Sequence, residues 1–283
     1  MQARASIIIP AHNEATVISR CLKAIYDSSE PGEFEVLVVC NGCTDDTVSI
    51  VRKLFPLVRL LETPIASKVF ALNLGDTEAS CFPRIYLDAD LVVGADSLRV
   101  LIGALQSGEA LAACGRMEID ASRSNWFVQS FYKVWRLNSY LEKGKFGGLF
   151  AVSLAGHSRI SPFAAVTNDD EMVRRKFTTA ERAYVEGCYF DMTAPKNLSG
   201  LAKIRTRAIR GNAQLDKIGL ADSDGPASAR FVRFLLRLLQ RPTVWPALAI
   251  YIAFSSFIHA KLAFSGYGEA DIWERDDSSR ELI

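Results

Sequence analysis

Two pairs of carboxylates carry the chemistry that this chain could do. The segment "RIYLDADLVV" closes an apolar run with Asp88 and Asp90. On a strand, side chains two residues apart share a face, so two negative charges would meet at the strand's end. Like charges so placed raise each other's pKa unless a cation lies between them. A hard divalent ion takes carboxylate oxygens and keeps several waters, which leaves room for a phosphorylated ligand. The plainer reading is a hydrated exit from strand to loop. The second pair, Asp169 and Asp170 in "TNDDEMVRRKF", falls where a helix begins, and negative charge is favoured there whether or not it does chemistry.

The elements that must position these acids alternate regularly. "ASIIIPA", "FEVLVVCNG", "VRLLET" and "RIYLDAD" read as strands. Between them, "EATVISRCLKAIYDS", "TDDTVSIVRKLF" and "SKVFALNLGDTEA" read as helices, the second with Thr44 or Asp45 available as its cap. Such alternation implies right-handed βαβ units and a mostly parallel sheet. Ligands bind beyond the carboxyl ends of the strands in such sheets. Pro10 to Glu14, Asn41 to Asp45 and Asp88 to Asp90 all lie at those ends and should converge on one crevice. Ala110 to Ile119 reads as a further strand, followed by an aromatic-rich helix, "SNWFVQSFYKVWRLNSYLEK". "GKFGGLFAVSL" has glycines where a backbone must turn or approach something closely.

Composition narrows the function. The 283 residues carry a net charge of +1, which gives no general case for binding nucleic acid. Among the six cysteines only Cys40 and Cys43 have CxxC spacing, with no second such pair or nearby histidine pair to complete a zinc site. Reduced thiols in a cytosolic compartment are expected. His12 and His157 read as packing or loop residues rather than metal ligands. "MQARASIIIPAHNE" lacks the long apolar region of a secretory signal.

Near Pro226 the chain changes character. "ARFVRFLLRLLQR" has arginines at helical spacing among Phe, Val and Leu, as in a helix lying in a membrane interface. Thr243 to Ala260 contains no Asp, Glu, Lys or Arg. At about 1.5 Å per residue it reaches about 27 Å, close to a bilayer core of about 30 Å. It can span, lie on the membrane as a hairpin, or pack as a buried helix. Arg230, Arg233, Arg237 and Arg241 before it, and the acidic tail "GEADIWERDDSSRELI" after it, put its start on the cytoplasmic side.

Taken in order and spacing, "SIIIPAHNEATVISRCLKAI", "EVLVVCNGCTDDT", "SKVFALNLG" and "IYLDAD" resemble the inverting family-2 glycosyltransferases with the GT-A fold, over residues 5–212. The resemblance implies a Rossmann-like, mostly parallel α/β sheet that binds a nucleotide sugar. It divides the chain into a catalytic domain, 1–212, and a membrane-associated helical region with a polar tail, 213–283. It also implies roles for residues. Pro10, Ala11, Asn13 and Glu14 match the nucleotide-binding turn. Asn41 stands where the family commonly has an aspartate that contacts the base. Lys68 and Asn73 match the helix near the nucleotide and its phosphates. Asp88 and Asp90 match the pair that holds Mn²⁺ or Mg²⁺, with Asp90 the direct ligand. In the later acidic motif Asp170 takes the place of the general base, with Asp169 supporting it. The family's Q-x-x-R-W motif is missing; Arg207 or Arg210 of "RTRAIRGNAQ" could instead contact the diphosphate through a planar fork.

The expected function is inverting transfer of a sugar from a nucleoside diphosphate donor to a hydroxyl of a glycan or lipid-linked acceptor, in bacterial envelope polysaccharide or glycolipid assembly. It would take place at the cytoplasmic face of the cell membrane, which membrane-associated bacterial relatives with similar tails also suggest. A polyprenyl-phosphate sugar synthase and a non-catalytic nucleotide-sugar-binding scaffold are the alternatives. A sugar nucleotidyltransferase would need a Gly-rich loop for a triphosphate, and "PAHNEA" has no glycine.

Overall fold

The computed structural model describes residues 3–138, 145–222, 224 and 227–265. The polar C-terminal tail, Pro226 and the end of the aromatic-rich helix lie outside the described residues.

Strands β1 (Ser6–Ala11), β2 (Glu35–Asn41), β3 (Arg59–Thr63) and β4 (Arg84–Leu87) are parallel, with β1 between β2 and β4. Helices α1 (Ile18–Tyr26), α2 (Thr47–Leu54) and α3 (Lys68–Glu78) are their crossovers. The chain winds outward from β1 to β3 and then returns to the other side of β1. The crevice beyond β1 and β4 is therefore the topological switch point of the sheet. The sheet continues with β5 (Ala112–Asp120), β6 (Leu149–Val152) and β7 (Arg182–Thr193), in the order β3-β2-β1-β4-β6-β5-β7. Strand β6 is antiparallel to both its neighbours, whereas β7 pairs with β5 in parallel. The other α-helices among the described residues are α4 (Ala95–Gln106), α5 (Trp126–Trp135), α6 (Leu154–Ile160), α7 (Asp169–Arg175), α8 (Leu198–Lys217), α9 (Ala227–Leu239) and α10 (Trp245–Ser265). Helix α8 runs through residue 212, so a division of the chain at that point falls inside a helix.

Strands buried on both faces read as unbroken apolar runs, and "SIIIPA" is buried at every position. Ile7, Ile9, Val36 and Val38 pack with Ile18, Leu22, Val51 and Leu98 on one face. Ile8 and Leu37 pack with Leu72, Ile160, Val173 and Leu215 on the other. Helix α3 sits so close to the sheet that a Cβ on Gly75 would lie 2.6 Å from Ile8 Cγ2. Its start is capped by Ser67, whose hydroxyl accepts from the amide of Phe70 at 3.2 Å. At α2 the sequence expectation is shifted by a residue. Asp46 is the N-cap and makes no side-chain cap bond, while the Asp45 carboxylate accepts from the amide of Thr47 at 3.0 Å.

One ion pair outside the crevice carries a pH prediction. Glu33 is clamped by Arg99, with Nε 2.8 Å from Oε1 and Nη2 2.7 Å from Oε2. These bonds, helped by the amide of Glu30, hold its carboxyl down to about 2 from the usual 4.5. A depressed carboxylate stabilises the fold above its unfolded pKa and loses that contribution as pH falls through the folded value. Discounting for solvent at the rim, about 1–2 kcal/mol should disappear between pH 4.5 and 2. Urea midpoints over that range should fall more steeply for the wild type than for Glu33→Gln.

Candidate active site

The turn after β4 is fixed by its backbone. The Asp88 amide donates to Gly148 O at 2.8 Å, and Val92 forms an antiparallel bridge with Asp191 of β7. The strand ends at Leu87, so Asp88 and Asp90 do not continue the pleat as the sequence spacing suggested. Both nevertheless line one cleft of about 1210 Å³. Asp88 lies against Gly148, where φ is +88° and a Cβ would come within 2.6 Å of Asp88 Oδ2. Glycine is required there on both counts.

Lys68, the first residue of α3, joins the two acidic segments. Its Nζ is 2.8 Å from Asp88 Oδ1 and 3.0 Å from Asp169 Oδ1. Although burial disfavours its charge, Asp169 and Asp88 hold the ammonium well above its ordinary value. Burial pushes Asp88 up to about 6; Lys68 opposes the shift, and Asp169 and Asp90 add to it. Asp170 is also raised, by burial first and by the charge of Asp169 second. Its Oδ1 accepts from the amide of Glu171 at 2.8 Å.

Helix α7 presents Asp169 and Asp170 because its far side is anchored. Arg174 is fully buried and grips Glu171 with Nε at 2.8 Å and Nη2 at 2.7 Å. It also donates to Asp224 at 2.5 Å and Asp222 at 2.8 Å, which ties α7 to the loop after α8. At the helix start, Asn168 donates to Ala208 O and Asn212 Oδ1, both at 3.0 Å. It packs where a Cβ on Gly211 would lie 2.4 Å away.

The turn after β1 meets the turn after β2 through Asn13. Asn13 adopts φ +53°, and its Oδ1 accepts from the amide of Thr44 at 2.7 Å. Asn41 ends β2, and its Nδ2 donates to Ala11 O at 3.0 Å and Val39 O at 3.4 Å. Oδ1 is then the side-chain atom left for a ligand, an acceptor such as aspartate would offer. His12 also lines the cleft, with Nδ1 2.5 Å from the Asn41 carbonyl oxygen.

The cleft thus brings together Pro10, Asn13, Glu14, Asn41, Lys68, Asp88, Asp90, Asp169, Asp170 and Arg207. It does not bring in Ala11, Asn73 or Arg210. Both ends of the Asn73 amide are engaged by the backbone of Phe163, with Oδ1 accepting at 2.7 Å and Nδ2 donating at 3.1 Å. Its work is to hold the loop before α7. Lys145, which the sequence reading missed, lines the cleft and stacks over Trp135 at 5.1 Å. Burial lowers its ammonium pKa; Asp170 opposes that, and Arg205 and Arg207 reinforce it. The only sequence signal nearby was the run of glycines that follows it.

Among the described residues no cluster of three or more His, Cys, Asp or Glu is placed to enclose a metal. Two carboxylates beside an open cleft instead suit Mg²⁺ or Mn²⁺, which keep waters and take phosphate oxygens. The room that Gly148 leaves for the Asp88 carboxylate fits the same role. Lys68 already holds one Asp88 oxygen, and Asp90 faces the same cleft.

Residues 6–166 match the family model described as glycosyl transferase family 2. The chain belongs to that family. Among curated relatives, the glycosyltransferase AglE of Haloferax volcanii is 37% identical over 90 residues, 30% of this chain and 30% of its own length. Among solved structures, mannosyltransferase PcManGT from Pyrobaculum calidifontis, in complex with GDP-Man and Mn²⁺, is similar at a TM-score of 0.63 and 22% identity. That likeness covers 94% of this chain and 80% of the other. Glucosyl-3-phosphoglycerate synthase from Mycobacterium tuberculosis, in complex with Mn²⁺, UDP-glucose and glycerol 3-phosphate, gives 0.54 at 19% identity, over 77% of this chain and 81% of its own. At such identities these structures speak for the GT-A fold of the family alone.

Proposed function

We propose that this chain is a metal-dependent inverting glycosyltransferase. The observation that carries the reading is the convergence of Lys68, Asp88, Asp90, Asp169 and Asp170 on one cleft at the switch point of the sheet. The donor is a nucleoside diphosphate sugar, held by Glu14, Asn41 and the turn that Asn13 staples. The acceptor hydroxyl loses its proton to Asp170 as its oxygen attacks the anomeric carbon from the face opposite the diphosphate. One carbon–oxygen bond forms, the bond to the diphosphate breaks, and configuration inverts. Asp90 and Asp88 would hold Mn²⁺ or Mg²⁺, which supplies charge neutralisation on the departing phosphates. Lys68 keeps Asp88 and Asp169 in register, and Arg207 faces the same cleft as a planar donor for phosphate oxygens.

The acceptor is a glycan or lipid-linked hydroxyl, used in envelope polysaccharide or glycolipid assembly at the cytoplasmic face of the membrane. A catalytic unit followed by a membrane-facing helical hairpin suits this role, with the division after α8. Lys145, Arg205 and Arg207 around Asp170 favour a second reading, in which the acceptor is itself a polyprenyl phosphate.

Calorimetric titration with UDP and GDP tests the donor site. At least one should bind, and Mn²⁺ should tighten it by about tenfold or more, roughly 1.4 kcal/mol. Asp90→Asn should abolish the Mn²⁺ effect and leave the melting temperature unchanged. Absence of nucleoside diphosphate binding with and without Mn²⁺ would remove the assignment.

A further inference from the structure

Helix α9 faces the opposite way from a helix that meets water. Val232, Leu235, Leu236 and Leu239 recur at three- and four-residue spacing, and their exposure runs from 41% at Leu235 to 66% at Leu239. Two of its arginines turn inward: Arg233 and Arg237 are half-buried, and Arg237 Nη1 donates to Leu137 O at 3.2 Å. On the surface of a soluble domain the apolar stripe would face the core and the charges the solvent.

Helix α10 extends the same apolar surface. Its inner stripe of Ala247, Phe254, Ile258 and Leu262 is buried along the length of the helix. Phe131 of α5 stacks on Tyr251 at 5.1 Å and meets Phe254 edge-on at 5.5 Å. Val134, nearer the end of α5, clusters with Ala247, so the two helices run antiparallel. On the outer side Ile252, Phe257 and Phe264 are exposed, Phe264 by 93%. Pro242–Phe264 has a mean hydropathy of 1.6, enough to cross a bilayer by length and composition. A helix fastened lengthwise to α5 cannot cross without leaving the catalytic body.

Charge identifies the occupant of this surface. Residues 227–265 include Arg230, Arg233, Arg237, Arg241 and Lys261, and contain no Asp or Glu. Of these, Arg241 and Lys261 are exposed, and an apolar face on elements that carry cations and no acid complements an anionic lipid surface. Phe231, Phe234 and Tyr251 of the hairpin line the same cleft as Asp170.

We propose that α9 and α10 seat in the interface of an anionic bilayer, both lying in its plane and neither crossing it, so that the cleft opens toward the lipid. The acceptor then reaches Asp170 from the membrane; that last step rests on the glycosyltransferase reading, and the seating itself does not.

Flotation of the purified full chain tests the seating. With phosphatidylglycerol–phosphatidylcholine vesicles the protein should rise with the lipid, and with phosphatidylcholine alone it should bind roughly tenfold more weakly. Leu235→Glu with Leu236→Glu should lower binding by roughly 100-fold while melting and nucleoside diphosphate affinity stay unchanged. Leu239→Asn is a milder second variant should the pair disturb folding. Epitopes at the two chain ends should be cleaved from the same face of membranes prepared from expressing cells. Three results would overturn the proposal: protein that stays with the dense fraction; self-association lost in the double variant without vesicle binding, which gives the patch to a second copy; or epitopes on opposite faces. Nucleoside diphosphate affinity, read on the same samples, reports separately on the glycosyltransferase reading.

Discussion

Asp170→Asn should slow sugar transfer by about 10²–10⁴-fold, the usual contribution of a positioned general base. Nucleoside diphosphate affinity and melting temperature should stay at wild-type values. Asparagine keeps the shape of the side chain and can still accept from the Glu171 amide, so the loss would be one of proton transfer and not of fold. Burial and the neighbouring Asp169 push Asp170 above the usual carboxylate range. A base so shifted must still be ionised to act. The wild-type rate should therefore climb with pH over a window displaced upward from that of an ordinary aspartate, and the variant should lack that limb. A phosphate acceptor brings its own oxyanion and needs no such base. Transfer at the wild-type rate in Asp170→Asn would thus remove the hydroxyl acceptor and leave the polyprenyl phosphate.

Arg174→Ala should cost about 3–5 kcal/mol of stability, the loss expected when one partner of a buried ion pair is removed. Arg174 is fully buried and faces Glu171, Asp222 and Asp224, which would lose the one cation common to all three, although Arg175 stays on Glu171 and Arg182 on Asp224. Arg174→Lys should recover part of the loss only, because an ammonium cannot reproduce the bidentate grip on Glu171. Urea unfolding gives the stability directly. A loss under about 1 kcal/mol would mean that the network is solvated and does not anchor α7. Because α7 carries Asp169 and Asp170, transfer should fall with stability in the alanine variant.

The first half of the sheet was legible because strands buried on both faces leave unbroken apolar runs, as in β1 and β2. Strands β6 and β7 were not. The four residues of "LFAV" are too few to show a period, and "RAYVEGCYFDMT" mixes polar residues and a glycine along one long strand. The acidic residues could be found because Asp88 and Asp90 close an apolar strand and because the family resemblance singles out Asp169 and Asp170; pairing alone is no guide, since Asp45 with Asp46 and Asp222 with Asp224 show the same spacings. Lys145 and Arg174 could not, since a lone lysine or arginine acquires meaning only from what tertiary packing sets beside it. Asn73 shows the reverse case. Its neighbourhood in the motif suggested a nucleotide contact, while the folded chain uses both of its polar atoms to hold the backbone of Phe163.

The Asn41 amide has a consequence for the donor. With its nitrogen engaged by Ala11 O and Val39 O, it offers a base an acceptor oxygen and no proton. Uracil, thymine and guanine carry a ring N–H that such an oxygen can receive; cytosine and adenine present a ring acceptor there and can donate only from their exocyclic amine. If Asn41 meets the base as the family resemblance implies, one amide at the end of one strand would favour donors built on the first three.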